Sequence, residues 1–321
     1  MWAWAKVLGG VGILAVLLWR LGTGAFLDGL RVINSGTLLA ACGIGLLTTV
    51  LSAWRWCLVA RGLGIRLPLQ SAVADYYRAL FLNAALPGGV LGDVHRAVRH
   101  GHDVGDVGRG VRAVVLERSA GTVVFVTVGT AALLALPSPV LSQVHLVTNG
   151  RAVAVAAACG ALALGLLAWV RLRRPDSRLR RVWRTTLSDV RRGLLARTNW
   201  PGILISSAVV LAGHLATFLV AARAAGSSAS IARLAPLMLL ALLAMLLPLN
   251  VGGWGPREGI LAWAFGAAGM SAALGLTIAV VYGVLAFAAS LPGAGVLVAR
   301  WIMRLRAGRP RVDPEQEPAW G

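Results

Sequence analysis

Residues 86–96 read Leu-Pro-Gly-Gly-Val-Leu-Gly-Asp-Val-His-Arg, and residues 247–257 read Leu-Pro-Leu-Asn-Val-Gly-Gly-Trp-Gly-Pro-Arg. The first stretch sits among apolar segments, yet it holds a helix breaker, three glycines, an acid, a histidine and an arginine. Sliding it by 161 residues onto the second aligns Leu86 with Leu247, Pro87 with Pro248, Val90 with Val251, Gly92 with Gly253 and Arg96 with Arg257. In a chain so rich in Leu and Gly, the coincident Pro and Arg carry most of the weight. The pair predicts two related halves, each broken midway by a Pro/Gly elbow.

Composition says what surrounds those elbows. Of the 321 residues 58% are hydrophobic and 13% charged, where a soluble domain carries about 25%. Mean hydropathy is +0.76. The chain reads as an integral membrane protein. Its net charge is +19, and all but one of the 31 basic residues are Arg, clustered between apolar runs. Cytoplasmic loops explain that pattern. No nucleic-acid-binding module accompanies the charge, so nucleic acid is not an expected partner. Cys42, Cys57 and Cys159 lie in or beside apolar runs without metal or disulfide spacing, and read as small buried hydrophobes.

A helix needs about 20 apolar residues to cross the hydrocarbon core. Full spans are expected at 2–19, 37–60, 113–136, 150–170, 202–224 and 274–299. The first reads as an uncleaved span, not a signal peptide, for want of a convincing small-residue cleavage site. Regions 68–101 and 231–268 are the two broken by the elbows. Adding 161 to 37–60 and 113–136 gives 198–221 and 274–297, so the repeat covers whole units, about 37–136 and 198–299. The segment 171–197 holds ten Arg and the tail from Arg300 five, while 137–149, 225–232 and 269–273 hold no Arg or Lys. The positive-inside rule then puts both termini in the cytoplasm, at the cell membrane. Matching spans run in opposite directions, an inverted repeat of the kind transporters use to build a site near the bilayer midplane. The broken regions are expected to be re-entrant, since irregular backbone at that depth must be buried in protein or line a wet cavity; ordinary spans kinked at Pro are the alternative.

The expected fold is therefore an all-α integral membrane protein, with about six full transmembrane helices plus two re-entrant helical hairpins in an inverted repeat. Residues 1–306 form the membrane domain, with a cytoplasmic Arg-rich linker at 171–200, and 307–321 a disordered cytoplasmic tail. Within the linker Leu179, Val182, Trp183, Leu187, Val190 and Leu194 recur with helical spacing, as a basic amphipathic helix on an anionic leaflet would.

Ionisable side chains deep in a membrane cost a few kcal/mol each, which makes each a functional candidate. Asp93, His95, Arg96, Glu117, Arg118, Arg257 and Glu258 qualify, with Asp75, Arg78 and His214 behind them. Arg96 follows the elbow of Pro87, Gly88 and Gly92; Arg257 follows that of Pro248, Gly252, Gly253 and Gly255. A helix start with free N–H groups beside an Arg suits a phosphate; the alternative is that these charges form ion pairs that only lock the repeats together. Adjacent helical residues point about 100° apart, so Arg257 is not expected to pair with Glu258, nor Glu117 with Arg118. Partners from the other half are expected, Glu117 or Asp93 with Arg257 and Glu258 with Arg96. His100, His102 and Asp103 read as a solvated loop, and Arg55-Trp56 as an interfacial anchor. The chain has no His-Glu-x-x-His, Gly-x-Ser-x-Gly or Walker sequence, so neither an enzyme nor a metal or other cofactor is expected.

The run Ser52-Ala-Trp-Arg-Trp56, the two elbows, Glu117-Arg-Ser-Ala-Gly121 and Gly252-Gly-Trp-Gly-Pro-Arg-Glu-Gly259 together resemble the flippase-like membrane region of lysylphosphatidylglycerol synthases. The resemblance covers about residues 35–300, and the Gly-Gly-Trp-Gly-Pro-Arg-Glu-Gly piece is its most specific part. It implies movement of a lipid with a phosphate-bearing head between leaflets. The full synthases add a soluble aminoacyl-transferase domain; this chain ends at Gly321, so lysyl transfer is not expected. His95 and Pro256 are given no role. The expected function is a lipid flippase whose head-group site uses Arg96, Arg257, Glu117, Glu258 and Asp93. A transporter of a small soluble solute, or a non-catalytic membrane partner of a lipid-modifying enzyme, are the alternatives, and an oligomer is left open.

Overall fold

A computed structural model of the chain describes residues 15–16, 19, 23–86, 89–135, 177–246 and 254–307. All regular elements among them are helices: α1 (Gly24–Arg31), α2 (Ser35–Gly62), α3 (Leu69–Ala85), α4 (Leu91–Val104), α5 (Val107–Ala135), α6 (Ser177–Gly193), α7 (Trp200–Ala224), α8 (Ile231–Ala244), α9 (Pro256–Ala267), α10 (Ala272–Ser290) and α11 (Pro292–Ala307). Their ends follow from local chemistry. Asn34 and Thr37 cap α2 reciprocally, Asn34 Oδ1 accepting from the Thr37 N–H at 2.9 Å and Thr37 Oγ1 from the Asn34 N–H at 3.0 Å. Pro256, which has no N–H to leave unsatisfied, opens α9. Gly255 before it has φ +114°, a conformation that suits only glycine.

Among the described residues, three helical stretches are long and apolar enough to cross a membrane: Ser35–Gly62, Trp200–Ala224 and Ala272–Met303. They coincide with the spans expected at 37–60, 202–224 and 274–299. The span expected at 113–136 falls in α5, whose first half carries Arg109, Arg112, Glu117 and Arg118. Those expected at 2–19 and 150–170 lie almost wholly outside the described residues. The two broken regions form α3 with α4 and α8 with α9, of 17, 14, 14 and 12 residues. None of these reaches the roughly 20 residues a full crossing needs.

The helix packing has a regular pattern. α2 packs most extensively on α7. In the first half α3 lies on α2 and α4, and α4 on α5; in the second α8 lies on α7 and α9, and α9 on α10. Between the halves α10 touches α2 and α3, while α5 touches α7 and α8. Every one of these contacts has a counterpart when α2 is exchanged with α7, α3 with α8, α4 with α9 and α5 with α10. The α3–α4 contact is backbone to backbone: Gly92 lies against Ala79, with no room for a Cβ. Phe218, Leu237, Phe265, Ile278 and Tyr282 centre the core of the second half, and Trp56, Tyr76, Ala97 and Val114 pack together in the first.

The Arg-rich segment does form a helix, α6, but its described residues lean on the protein. Arg112 Nε meets Asp189 Oδ2 at 2.6 Å, and Val190 and Leu194 pack against Leu58, Val59 and Leu63. The tail beyond Ala307 lies outside the described residues. Cys57 is buried, whereas Cys42 is exposed, contrary to the reading of it as buried; Cys159 is outside the described residues.

Candidate functional site

The Trp-Arg-Trp sequence on α2 points Arg55 and Trp56 inward, where α5 and α7 hold Arg55 and α4 covers Trp56. Both are buried, Arg55 at 4% exposure. The interfacial anchor is thus corrected: packing by three further helices removes these residues from the interface. Arg55 donates to Glu117 Oε1 from Nε at 3.0 Å and from Nη2 at 2.6 Å, and its Nη1 donates to Ser207 Oγ on α7 at 2.9 Å. Glu117 has no exposed surface. Its other oxygen, Oε2, accepts from Arg96 Nη2 at 3.1 Å. The same Arg96 nitrogen donates to Asp93 Oδ1 at 3.0 Å, and Asp93 pairs in turn with Arg118 Nη2 at 2.8 Å. The result is a ladder, Arg55–Glu117–Arg96–Asp93–Arg118, with three cations against two carboxylates.

Asn83 fixes the Asp93 end of this ladder. Its Nδ2 donates to Asp93 Oδ2 at 2.9 Å, and its Oδ1 accepts the Gly92 N–H at 2.7 Å. Arg96 is held by more than charge: its guanidinium lies over the Trp56 ring at 4.5 Å and the Tyr76 ring at 4.3 Å. Desolvated contacts of this kind contribute about 2 kcal/mol each. Arg96 Nε and Nη1 make no hydrogen bond, so the rings take the place of further acceptors.

In the second half Arg257 and Glu258 pair with each other. Arg257 donates to Glu258 Oε1 from Nη2 and from Nε, the latter at 2.9 Å, and Glu258 Oε2 accepts the Gly255 N–H at 2.7 Å. Neighbouring directions about 100° apart were expected to forbid this pair. The Glu258 side chain instead turns back toward the helix start to cap Gly255, and the long Arg257 side chain bends to meet it. The partnerships expected between halves, Glu117 or Asp93 with Arg257 and Glu258 with Arg96, are not formed. Glu117 and Arg118, as expected, take separate partners.

Between the two halves lies a cavity of about 390 Å³, lined from the first by Thr48, Asn83, Gly89 and Arg118, and from the second by His214, Trp254, Arg257 and Tyr282, among others. A second of about 280 Å³ shares Arg118, His214, Met245 and Tyr282 with it. Arg118 keeps 39% of its side chain accessible because it faces these spaces. Arg257 stands 5.1 Å from the Trp254 and Tyr282 rings. Gly283 makes room for it: a Cβ there would come within 2.5 Å of Arg257 Nη2.

Arg96, expected to share a head group with Arg257, does not line either cavity. Its place is taken by Arg118, one rung along the ladder. Glu117, Asp93 and Glu258 likewise serve the arginines from behind. Of the elbow residues, Gly92 and Gly255 are described; Pro87, Gly88, Pro248, Gly252 and Gly253 lie outside the described residues. Asp75 forms a separate buried cluster, 3.2 Å from Arg78 Nη2 and 2.5 Å from Arg300 Nη1. His100 is buried edge-on against Trp56, centroids 5.0 Å apart. The solvated-loop reading failed there because α4 continues to Val104. Gly92, Arg96 and His100, spaced four apart on the inward face, carried the missed signal.

Residues 3–293 match the family model described as the lysylphosphatidylglycerol synthase TM region. No curated protein matches the chain.

Proposed function

From the premise that the chain belongs to the lysylphosphatidylglycerol synthase transmembrane-region family, a membrane family linked to lipid modification or translocation, we propose that it moves a lipid with a phosphate-bearing head between leaflets. The observation that carries this reading is the cavity of about 390 Å³ into which one arginine from each half is directed, Arg118 and Arg257. The ladder behind Arg118 has one cation in excess, and the Arg257–Glu258 pair is balanced. An anionic head completes the charge of the site, and the guanidinium fork matches phosphate oxygens. Arg96, Glu117, Asp93 and Glu258 position and neutralise the two binding arginines when the site is empty. Only the head needs this wet path, and the tails stay in lipid.

The architecture we propose around the site is an inverted repeat with both termini cytoplasmic. The pairs α3–α4 and α8–α9 each enter and leave on one face and bring their elbows together. The recurring contacts of the two halves and the shortness of these four helices support it. The protein works in the cell membrane without catalysing bond chemistry. Purified protein in vesicles carrying leaflet-specific fluorescent lipids tests the function. Movement of anionic phospholipid faster than in protein-free vesicles is expected; equal rates across several lipid classes sink the reading, and saturable uptake of a soluble anion favours a solute transporter.

A further inference from the structure

His214 is the only ionisable residue of α7 apart from Arg223 near its end, and it sits mid-helix in a segment long enough to cross the membrane. A histidine at that depth is costly unless it meets water or a partner. It has both. The side chain is exposed to the interior spaces, lines both cavities, and its Nδ1 lies 3.1 Å from the Tyr282 hydroxyl. Tyr282 is stacked on Phe218 with centroids 3.8 Å apart, and its ring stands 5.1 Å from the Arg257 guanidinium. One fixed side chain therefore joins the histidine to a binding arginine.

The charged groups that line the cavities beside His214 are all arginines. From α2 comes Arg55, tied to Ser207 on the same helix as His214. From α5 comes Arg118, and Glu117 beside it is taken by Arg55 and Arg96. From α10 comes Tyr282. α8 offers only Arg233 at its far end, turned to the Ala268 carbonyl at 2.8 Å. Across the cavity on α9 stands Arg257, with Glu258 behind it. Among the described residues no carboxylate lines either cavity. The cavities therefore hold no negative group to partner a proton on His214 until an anion sits between the arginines.

We propose that His214 takes up a proton when an anionic head group occupies the cavity, so that the loaded site carries anion and proton together and head-group movement responds to a proton gradient. This rests on the head-group reading above. The sign follows from linkage. The occupied site holds the proton more tightly than the empty one, so affinity for the anion rises as pH falls through the titration of the occupied site. It levels off below the titration of the empty site.

The test uses the purified full chain in detergent, with a short-chain phosphatidylglycerol as probe. Its phosphodiester stays monoanionic where histidine titrates, so any proton taken up belongs to the protein. Calorimetric titration in two buffers of different ionisation enthalpy gives the protons bound per probe. Wild type is expected to take up roughly half a proton or more near neutral pH, with an affinity that strengthens as pH falls. His214→Gln is expected to show no uptake and an affinity independent of pH. Binding by wild type without uptake overturns the proposal and leaves the head-group reading standing, as does uptake that persists in His214→Gln. No binding by wild type overturns both. If His214→Gln fails to fold, Tyr282→Phe keeps the ring and removes the hydroxyl; it should shift the pH midpoint of binding, and an unchanged midpoint contradicts the proposal.

Discussion

Arg96 lies over two aromatic rings with both carboxylate partners drawn from its own half, while Arg257, 161 residues later, faces the cavity between the halves with its neighbour Glu258 as counterion. Both are almost fully buried. Burial alone therefore does not separate an arginine that holds helices together from one that can meet a ligand. The surroundings do: two rings and two carboxylates leave Arg96 no open direction, whereas Arg257 has the cavity on one side. In the first half the role that matches Arg257 has passed to Arg118. Helix contacts that recur between the halves can thus surround a cavity lined asymmetrically.

The comparison breaks first at Glu117. Glu117→Ala leaves Arg55 and Arg96 buried without their shared carboxylate, and removing one side of such a pair costs about 3–5 kcal/mol. Little folded protein should be recovered by size-exclusion chromatography in detergent; normal recovery would mean that the ladder is not structural. Arg118→Gln strikes the exposed end instead. Asp93 keeps Arg96 and Asn83, so thermal stability should fall by no more than about 1 kcal/mol, while lipid movement drops about tenfold, or 1.4 kcal/mol of barrier.

Gly283→Ala sharpens the second half. The added methyl would crowd Arg257 Nη2, and the arginine must shift from its seat over Tyr282. Movement should slow several-fold with thermal unfolding lowered only modestly; an unaltered rate would show that the Arg257 position is not critical. The smallest effect is expected at Arg112→Ala, whose partner Asp189 joins α5 to α6 in a partly exposed pair. Less than about 1 kcal/mol should be lost, as thermal unfolding will show, and transport should be unchanged.

Much of the fold was legible because membrane length and hydrophobicity constrain it so tightly. The three long apolar stretches and the breaks at the elbows follow from runs of apolar residues and from Pro and Gly. The site was only half legible. Arg257, Glu258, Asp93, Glu117 and Arg118 could be picked out because a charge in an apolar run is conspicuous. Arg55 could not, since an Arg between two Trp near the end of a span looks like an interfacial anchor until α5 and α7 are seen to hold it. The pairing of Arg257 with Glu258 escaped because the angle between neighbouring helix positions describes where side chains start, not where long ones end. The substitution of Arg118 for Arg96 on the cavity depends on Trp56 and Tyr76 closing over Arg96, a contact between helices that no spacing within one segment encodes.

The most direct measurement is the rate of anionic phospholipid movement in vesicles for Arg257→Lys beside Arg96→Lys, each normalised to folded protein. Lys keeps the charge in both and removes the fork. Arg257→Lys is expected to keep wild-type thermal stability with at least about a tenfold loss of rate. Arg96→Lys is expected to show lowered stability with the rate per folded molecule retained. Equal loss in both at full stability, or a wild-type rate in Arg257→Lys, would contradict this reading.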